Sequence, residues 1–270
     1  MESNNTHTQA IGVFDSGIGG LTVAHQINSL LPNEKILYFG DTKHVPYGDK
    51  SSEAIVRFSE KITHFLVEQK CKMIVVACNT ASAIAFNQVK SLVKNKAIAV
   101  NVIDPIVEFT CRSGAKSVGI IGTKNTISSN IYAKKIHLLN QVIKTKSLAS
   151  PLLVPMIEEG FYQNNISQMI ISNYLKRKEL ANIDHLILAC THYPLIEEEI
   201  TKFYGDKVHV INSAKIVSSH IKSILRKSNL LNTSLTYPKH EFYVSDFTNS
   251  FEKSAEFFFG EHLHLKEIFL

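Results

Sequence analysis

A chain of 270 residues with 44 % hydrophobic and 20 % charged residues can bury a core in one large or two modest domains, which excludes a disordered or low-complexity chain. No stretch approaches the roughly 20 apolar residues of a membrane span, and the polar start from Met1 to Gln9 lacks the basic and apolar regions of a signal peptide; a cytoplasmic protein with a loose N-terminal tail is expected. A formal charge of +5 is mild, and its clusters (Lys176-Arg177-Lys178, Arg226-Lys227) are short and free of interleaved aromatics, which argues against nucleic acid and for a small anionic substrate.

The first strand is expected over Ile11 to Phe14, followed by Asp15-Ser16-Gly17-Ile18-Gly19-Gly20 and a helix from Leu21 to Leu31. Glycines let the backbone approach a ligand, and the helix start offers N–H groups to a carboxylate or phosphate; a tight turn with nothing bound reads equally well. The string is neither a dinucleotide fingerprint nor a P-loop. Asp15 would repel an anion there unless it meets an ammonium group or handles a proton. A second strand, Lys35 to Phe39, leads into Asp41-Thr42-Lys43-His44-Val45-Pro46-Tyr47-Gly48, where Pro46 and Gly48 turn the chain so that the backbone and side chain of Tyr47 can line a cleft.

A helix over Ser52 to Glu68 precedes the strand Met73 to Ala77, which ends in Cys78-Asn79-Thr80 and a helix over Ala81 to Lys94. Strands at Ile98 to Val102 and Val118 to Ile121 come next, then a helix from Asn125 to Leu139. Glu158 and Glu159 follow an apolar run and read as an acidic element or as surface charges. After a helix over Ile166 to Lys176, the strand Ile183 to Leu188 ends in Ala189-Cys190-Thr191-His192, with Pro194 near the first turn of a helix over Leu195 to Phe203. The strand Val208 to Ile211, a helix over Ala214 to Lys227, a polar linker over Ser228 to Thr236, a strand at Phe242 to Val244 and a helix over Phe247 to Phe259 complete the chain.

Strand and helix alternate almost throughout, which predicts an α/β fold with mostly parallel sheets flanked by helices. A full set of elements up to residue 99 and a second over 100–212 suggest two similar domains, each with one cysteine at a strand end. The segment 213–270 is too small to stand alone and is expected to pack on the first domain. Ligands in such sheets bind beyond the carboxyl ends of strands, so the site is expected in an interdomain cleft.

Four cysteines, Cys71, Cys78, Cys111 and Cys190, are too scattered for a disulfide framework, and no Cys-x-x-Cys pair supports a metal site. Cys71 and Cys111 read as ordinary buried residues. Cys78 and Cys190 each end an apolar run and lie near a helix start, where a thiol's pKa falls from about 8.5. His192 is either a satisfied core histidine or a partner that holds the balance of thiol and thiolate on Cys190. Two thiols facing one cleft suit removal of a proton from one face of a carbon and its return to the other. A cysteine hydrolase would leave one thiol idle, and a dithiol oxidoreductase would place the pair closer in sequence.

These strings resemble those of the cofactor-independent glutamate racemases of the aspartate/glutamate racemase family. The likeness rests on Phe14 to Val23, Val45 to Gly48, Ala77 to Ala83, Val154-Pro155 with Glu158 to Gly160, Ala189 to Leu195, and Phe242 to Asp246. It implies interconversion of L- and D-glutamate for peptidoglycan, without cofactor or metal, by a homodimer. Carried over residue by residue, it makes Cys78 and Cys190 the two acid/bases, assisted by Asp15, His192 and Glu158. Asp15, Ser16, Tyr47, Gly48, Asn79, Thr80, Thr191 and His192 would then bind substrate. An aspartate or other amino-acid racemase, and a non-catalytic binding protein on the same fold, are the alternatives.

Overall fold

The computed structural model describes residues 6–234, 237–260 and 262–270. Residues 1–5 of the expected tail and the last two of the expected linker, 235–236, lie outside them. Ten strands are present among the described residues: β1 (Ile11–Asp15), β2 (Ile36–Gly40), β3 (Met73–Val76), β4 (Ile98–Asn101), β5 (Ser117–Gly122), β6 (Lys144–Ala149), β7 (His185–Ala189), β8 (His209–Ile211), β9 (Glu241–Val244) and β10 (Leu265–Glu267). They form a six-stranded sheet in the order β10-β9-β2-β1-β3-β4 and a four-stranded sheet in the order β6-β5-β7-β8. Every pairing is parallel.

β1, β2 and β3 are buried along their whole length, which is why they read as unbroken apolar runs: helices cover both faces of a parallel sheet. The helix Ser52–Glu68 is capped by Ser51, whose side chain accepts from the Ala54 N–H, and it buries Ile55, Ser59, Ile62 and Leu66. These lie one helical turn apart, and Ile55, Ile62 and Leu66 pack in one core with Phe14, Leu37, Phe39, Ile74 and Val76.

The chain divides into two units, one holding residues up to Val102 and from Val217 onward, the other Ile103–Ile216. The first division falls three residues past 99 because β4 pairs with β3 along its length and so completes the larger sheet. In both units the chain lays down its first strand, places the second on one side, then crosses to place the third and fourth on the other. The strand order therefore reverses between β1 and β3 and again between β5 and β7. Crevices at the carboxyl ends of such strand pairs are where ligands bind in parallel sheets.

Several elements differ from expectation. The helix expected over 81–94 is two, Asn79–Ile84 and Phe86–Val93, parted at Ala85; that over 125–139 is also two, Lys124–Ser128 and Ile131–Leu139, parted where Asn130 takes a left-handed φ of 55°. β6, β10 and the helices Ile103–Arg112 and Leu153–Glu158 are additional. The described part of the N-terminal segment is not loose: Thr6–Thr8 forms a 3-10 turn, and the His7 carbonyl accepts from the Lys72 ammonium. Lys72 is itself buried in an ion pair with Glu34 at 2.5 Å and donates to the Leu230 carbonyl at 2.8 Å, while Glu34 accepts from the Asn232 N–H. That cluster fastens the returning chain to the base of the first unit. No helix among the described residues is long and apolar enough to cross a membrane.

Candidate active site

In the first unit the carboxyl end of β1 delivers Asp15, which is fully buried, and its Oδ2 accepts the Gly17 N–H at 3.0 Å. The turn is tight enough to need its glycines. A Cβ on Gly20 would lie 2.5 Å from the Asp15 Cβ, and one on Gly40, at the end of β2, would lie 2.3 Å from the Gly17 carbonyl oxygen. That carbonyl accepts the Tyr38 hydroxyl at 2.8 Å. Burial, with the charges of Asp15 and Cys78 nearby, pushes the Tyr38 hydroxyl's pKa well up, so Tyr38 remains a neutral donor.

β3 delivers Cys78, buried to 5 % exposure, as the cap of the helix Asn79–Ile84. Its Sγ accepts the Ala81 N–H at 3.4 Å and lies 3.6 Å from the Ser16 Oγ. An amide N–H aimed at the sulfur gives a thiolate a donor. Asn79 and Thr80 are buried beside it, and Ser16 is half-buried.

In the loop after β2 the Tyr47 hydroxyl has an intramolecular partner. The Tyr47 side chain is buried, and its hydroxyl donates to Asp41 Oδ2 at 2.6 Å. Its phenol is taken up by Asp41, and the neighbouring Gly48 is half-buried.

In the second unit β7 delivers Cys190, 7 % exposed. Here the local structure departs from expectation, because no α-helix starts at the thiol. The Cys190 carbonyl accepts the Tyr193 N–H at 3.2 Å, a 3-10 turn follows over Tyr193–Ile196 with Pro194 in it, and the α-helix begins only at Glu197. The partner is instead His192, with Nδ1 3.8 Å from the Cys190 Sγ and Nε2 2.9 Å from Glu158 Oε1. Burial works against a charged ring, yet the hydrogen bonds to Cys190 and Glu158 and their charges outweigh it and push the His192 pKa up to about 10. Glu158 ends the short helix Leu153–Glu158 and, like Glu159, is exposed, but its carboxylate is tied to His192. Tyr193 anchors the same loop through its hydroxyl, 2.8 Å from the Ser150 Oγ.

The strand-end positions around the two thiols correspond in register. Phe14 pairs with Val76 and Gly122 with Ala189, so continuing each register sets Ser16 beside Cys78 and Thr123 beside Cys190. Thr123 caps the helix Lys124–Ser128 and is absent from the sequence-based assignment; its only signal there is a hydroxyl residue one position past a strand. The counterpart of Asp15 is Gly122. The first unit thus sets a carboxylate near its thiol, and the second a histidine–glutamate pair. The remaining cysteines match ordinary thiols: burial pushes Cys71 up to about 12, and Cys111 is half-buried with a raised pKa. Among the described residues no three His, Cys, Asp or Glu side chains are grouped to hold a metal ion.

Residues 11–221, covering both thiols, match the Asp/Glu/hydantoin racemase family model. The chain belongs to that family. A glutamate racemase of Syntrophus aciditrophicus is 39 % identical over 267 residues, 97 % of each chain, and one of Geobacter metallireducens is 40 % identical over 258 residues, 94 % of each. The crystal structure of a glutamate racemase from Francisella tularensis in complex with D-glutamate is 42 % identical, with a TM-score of 0.90 over 97 % of this chain and 98 % of that one. Similarity to these family members therefore runs through both sheets and the returning segment.

Proposed function

We propose that this racemase interconverts L- and D-glutamate by carrying the Cα proton between Cys78 and Cys190, without a cofactor, and supplies D-glutamate for peptidoglycan in the cytoplasm. The observation that carries the reading is the matched placement of the two thiols at corresponding strand ends of two units with one strand order. The mechanism requires both half-sites to meet over one substrate.

One cysteine, as thiolate, takes the Cα proton. The C–H electron pair is left on Cα, where the adjoining carboxylate delocalises it, and the other cysteine, as thiol, delivers its proton to the opposite face. The protonation states are then exchanged, so the enzyme stands ready for the reverse direction. His192, charged and held by Glu158, lies beside Cys190, its Nδ1 3.8 Å from the sulfur. Asp15 receives the substrate ammonium. Ser16, Asn79, Thr80, Thr123, Thr191 and the backbone around Tyr47 and Gly48 hold the two carboxylates.

The test is circular dichroism of L-glutamate incubated with the purified protein. The ellipticity is expected to decay to zero, and more slowly with L-aspartate. An unchanged signal would remove the racemase reading, and faster loss with L-aspartate would reassign the substrate.

A further inference from the structure

Two motifs have no part in the chemistry above: Asp41, which opens the loop after β2, and the Phe242-Tyr243-Val244-Ser245-Asp246 string on and after β9. The structure brings them together within the first unit. β9 lies against β2, pairing Gly40 with Val244, so the residues that follow each strand end up side by side. Asp41 is 3 % exposed and its carboxylate is surrounded by donors. Tyr47 donates to Oδ2 at 2.6 Å, Ser245 donates its hydroxyl to Oδ1 at 2.7 Å, and His44 Nδ1 lies 2.8 Å from Oδ1. The same Ser245 oxygen accepts the Lys43 N–H at 3.0 Å. Next to it, the Thr42 hydroxyl donates to the Asp246 carbonyl at 2.5 Å and accepts the Asp246 N–H at 2.9 Å.

A buried carboxylate must be matched by donors, and hydrogen bonds to a charged acceptor are stronger and more directional than neutral ones. Here those donors come from both ends of the Thr42–Tyr47 loop and from the returning segment. His44 is further fixed by stacking on Phe58, with ring centroids 4.0 Å apart at 15°. The loop therefore has no freedom to choose where Tyr47 sits. Asp41 ties the loop's side chains together, and Ser245 holds one oxygen of its carboxylate.

We infer that Asp41 and Ser245 are positioning residues for substrate binding: through the Tyr47 hydroxyl they hold the Tyr47–Gly48 backbone where the substrate carboxylate is received. This rests on the glutamate racemase reading. It also gives the returning C-terminal segment a role in ligand recognition. Neither residue touches the reacting atoms, so their removal acts on KM more than on kcat.

The test is steady-state racemisation of both enantiomers by the wild type and by Asp41→Asn, Ser245→Ala, Ser245→Thr, Tyr47→Phe and the Asp41→Asn/Tyr47→Phe double variant, with thermal unfolding of each. Asp41→Asn and Tyr47→Phe are expected to raise KM about tenfold with kcat within about threefold. The double variant should be no worse than the poorer single one, because both cut the same link. Ser245→Ala should raise KM less, and Ser245→Thr, which keeps the hydroxyl, should restore it. If Asp41→Asn fails to fold, the Ser245 and Tyr47 variants decide the matter. A fall in kcat at unchanged KM, additive effects of Asp41→Asn and Tyr47→Phe, or no effect at all would overturn the inference. A wild type inactive on glutamate would instead remove the reading beneath it.

Discussion

At the scale of single residues the two thiols are similar in placement and different in company. Cys78 has an amide N–H and a serine hydroxyl; Cys190 has an imidazole backed by a carboxylate. The His192 pKa lies above its ordinary value of about 6.5, so the protonated ring stabilises the fold fully below that value, and this contribution is lost as pH rises through about 10. NMR titration of the imidazole should find His192 protonated through pH 8. Glu158→Gln should lower its pKa and move the alkaline limb of kcat/KM to lower pH; a His192 ring that titrates near 6.5 in the wild type would contradict the assignment. Cys78, Cys190 and the histidine beside the latter are legible in the sequence, because each ends an apolar run in a polar string. The destination of the Tyr47 hydroxyl is not. Its acceptor, Asp41, also accepts from Ser245, more than 200 residues away, and the pairing of β9 with β2 brings that pair together.

At the scale of elements, close approach of backbone to backbone shapes the strand ends around Asp15. Gly40 abuts the Gly17 carbonyl, and a backbone oxygen cannot swing aside as a side chain does. Gly40→Ala is therefore expected to cost about 1–3 kcal/mol in denaturant unfolding and to displace the Asp15–Gly20 turn, with activity falling further than stability alone explains. Full activity in that variant would mean that the turn is not held against β2. Strands buried on both faces are readable because their apolar runs are continuous. β6 is not: it forms the edge of its sheet, is only partly covered, and carries lysines at positions 144 and 146, which blunt an exposed edge. The helix Ile103–Arg112 is hidden for another reason: Pro105 reads as a breaker, yet it lies in the first turn, where no intrahelical N–H bond is lost.

At the scale of the whole molecule, the doubling is legible as repeated strand–helix sets, and its meaning lies in topology. In both sheets the strand order reverses beside the strand that carries the thiol, while the residues around the two thiols differ. The two-strand addition of β9 and β10 belongs to one sheet only and brings Ser245 with it. The two-cysteine mechanism requires both thiols to share the proton transfer. L-Glutamate should be incubated in D2O with wild type, Cys78→Ser and Cys190→Ser, each checked for an unchanged fold by far-UV circular dichroism. The wild type is expected to place deuterium at Cα as it racemises, and each variant to racemise on the order of 10²–10⁴-fold more slowly. A variant that racemises at the wild-type rate would contradict the two-cysteine mechanism.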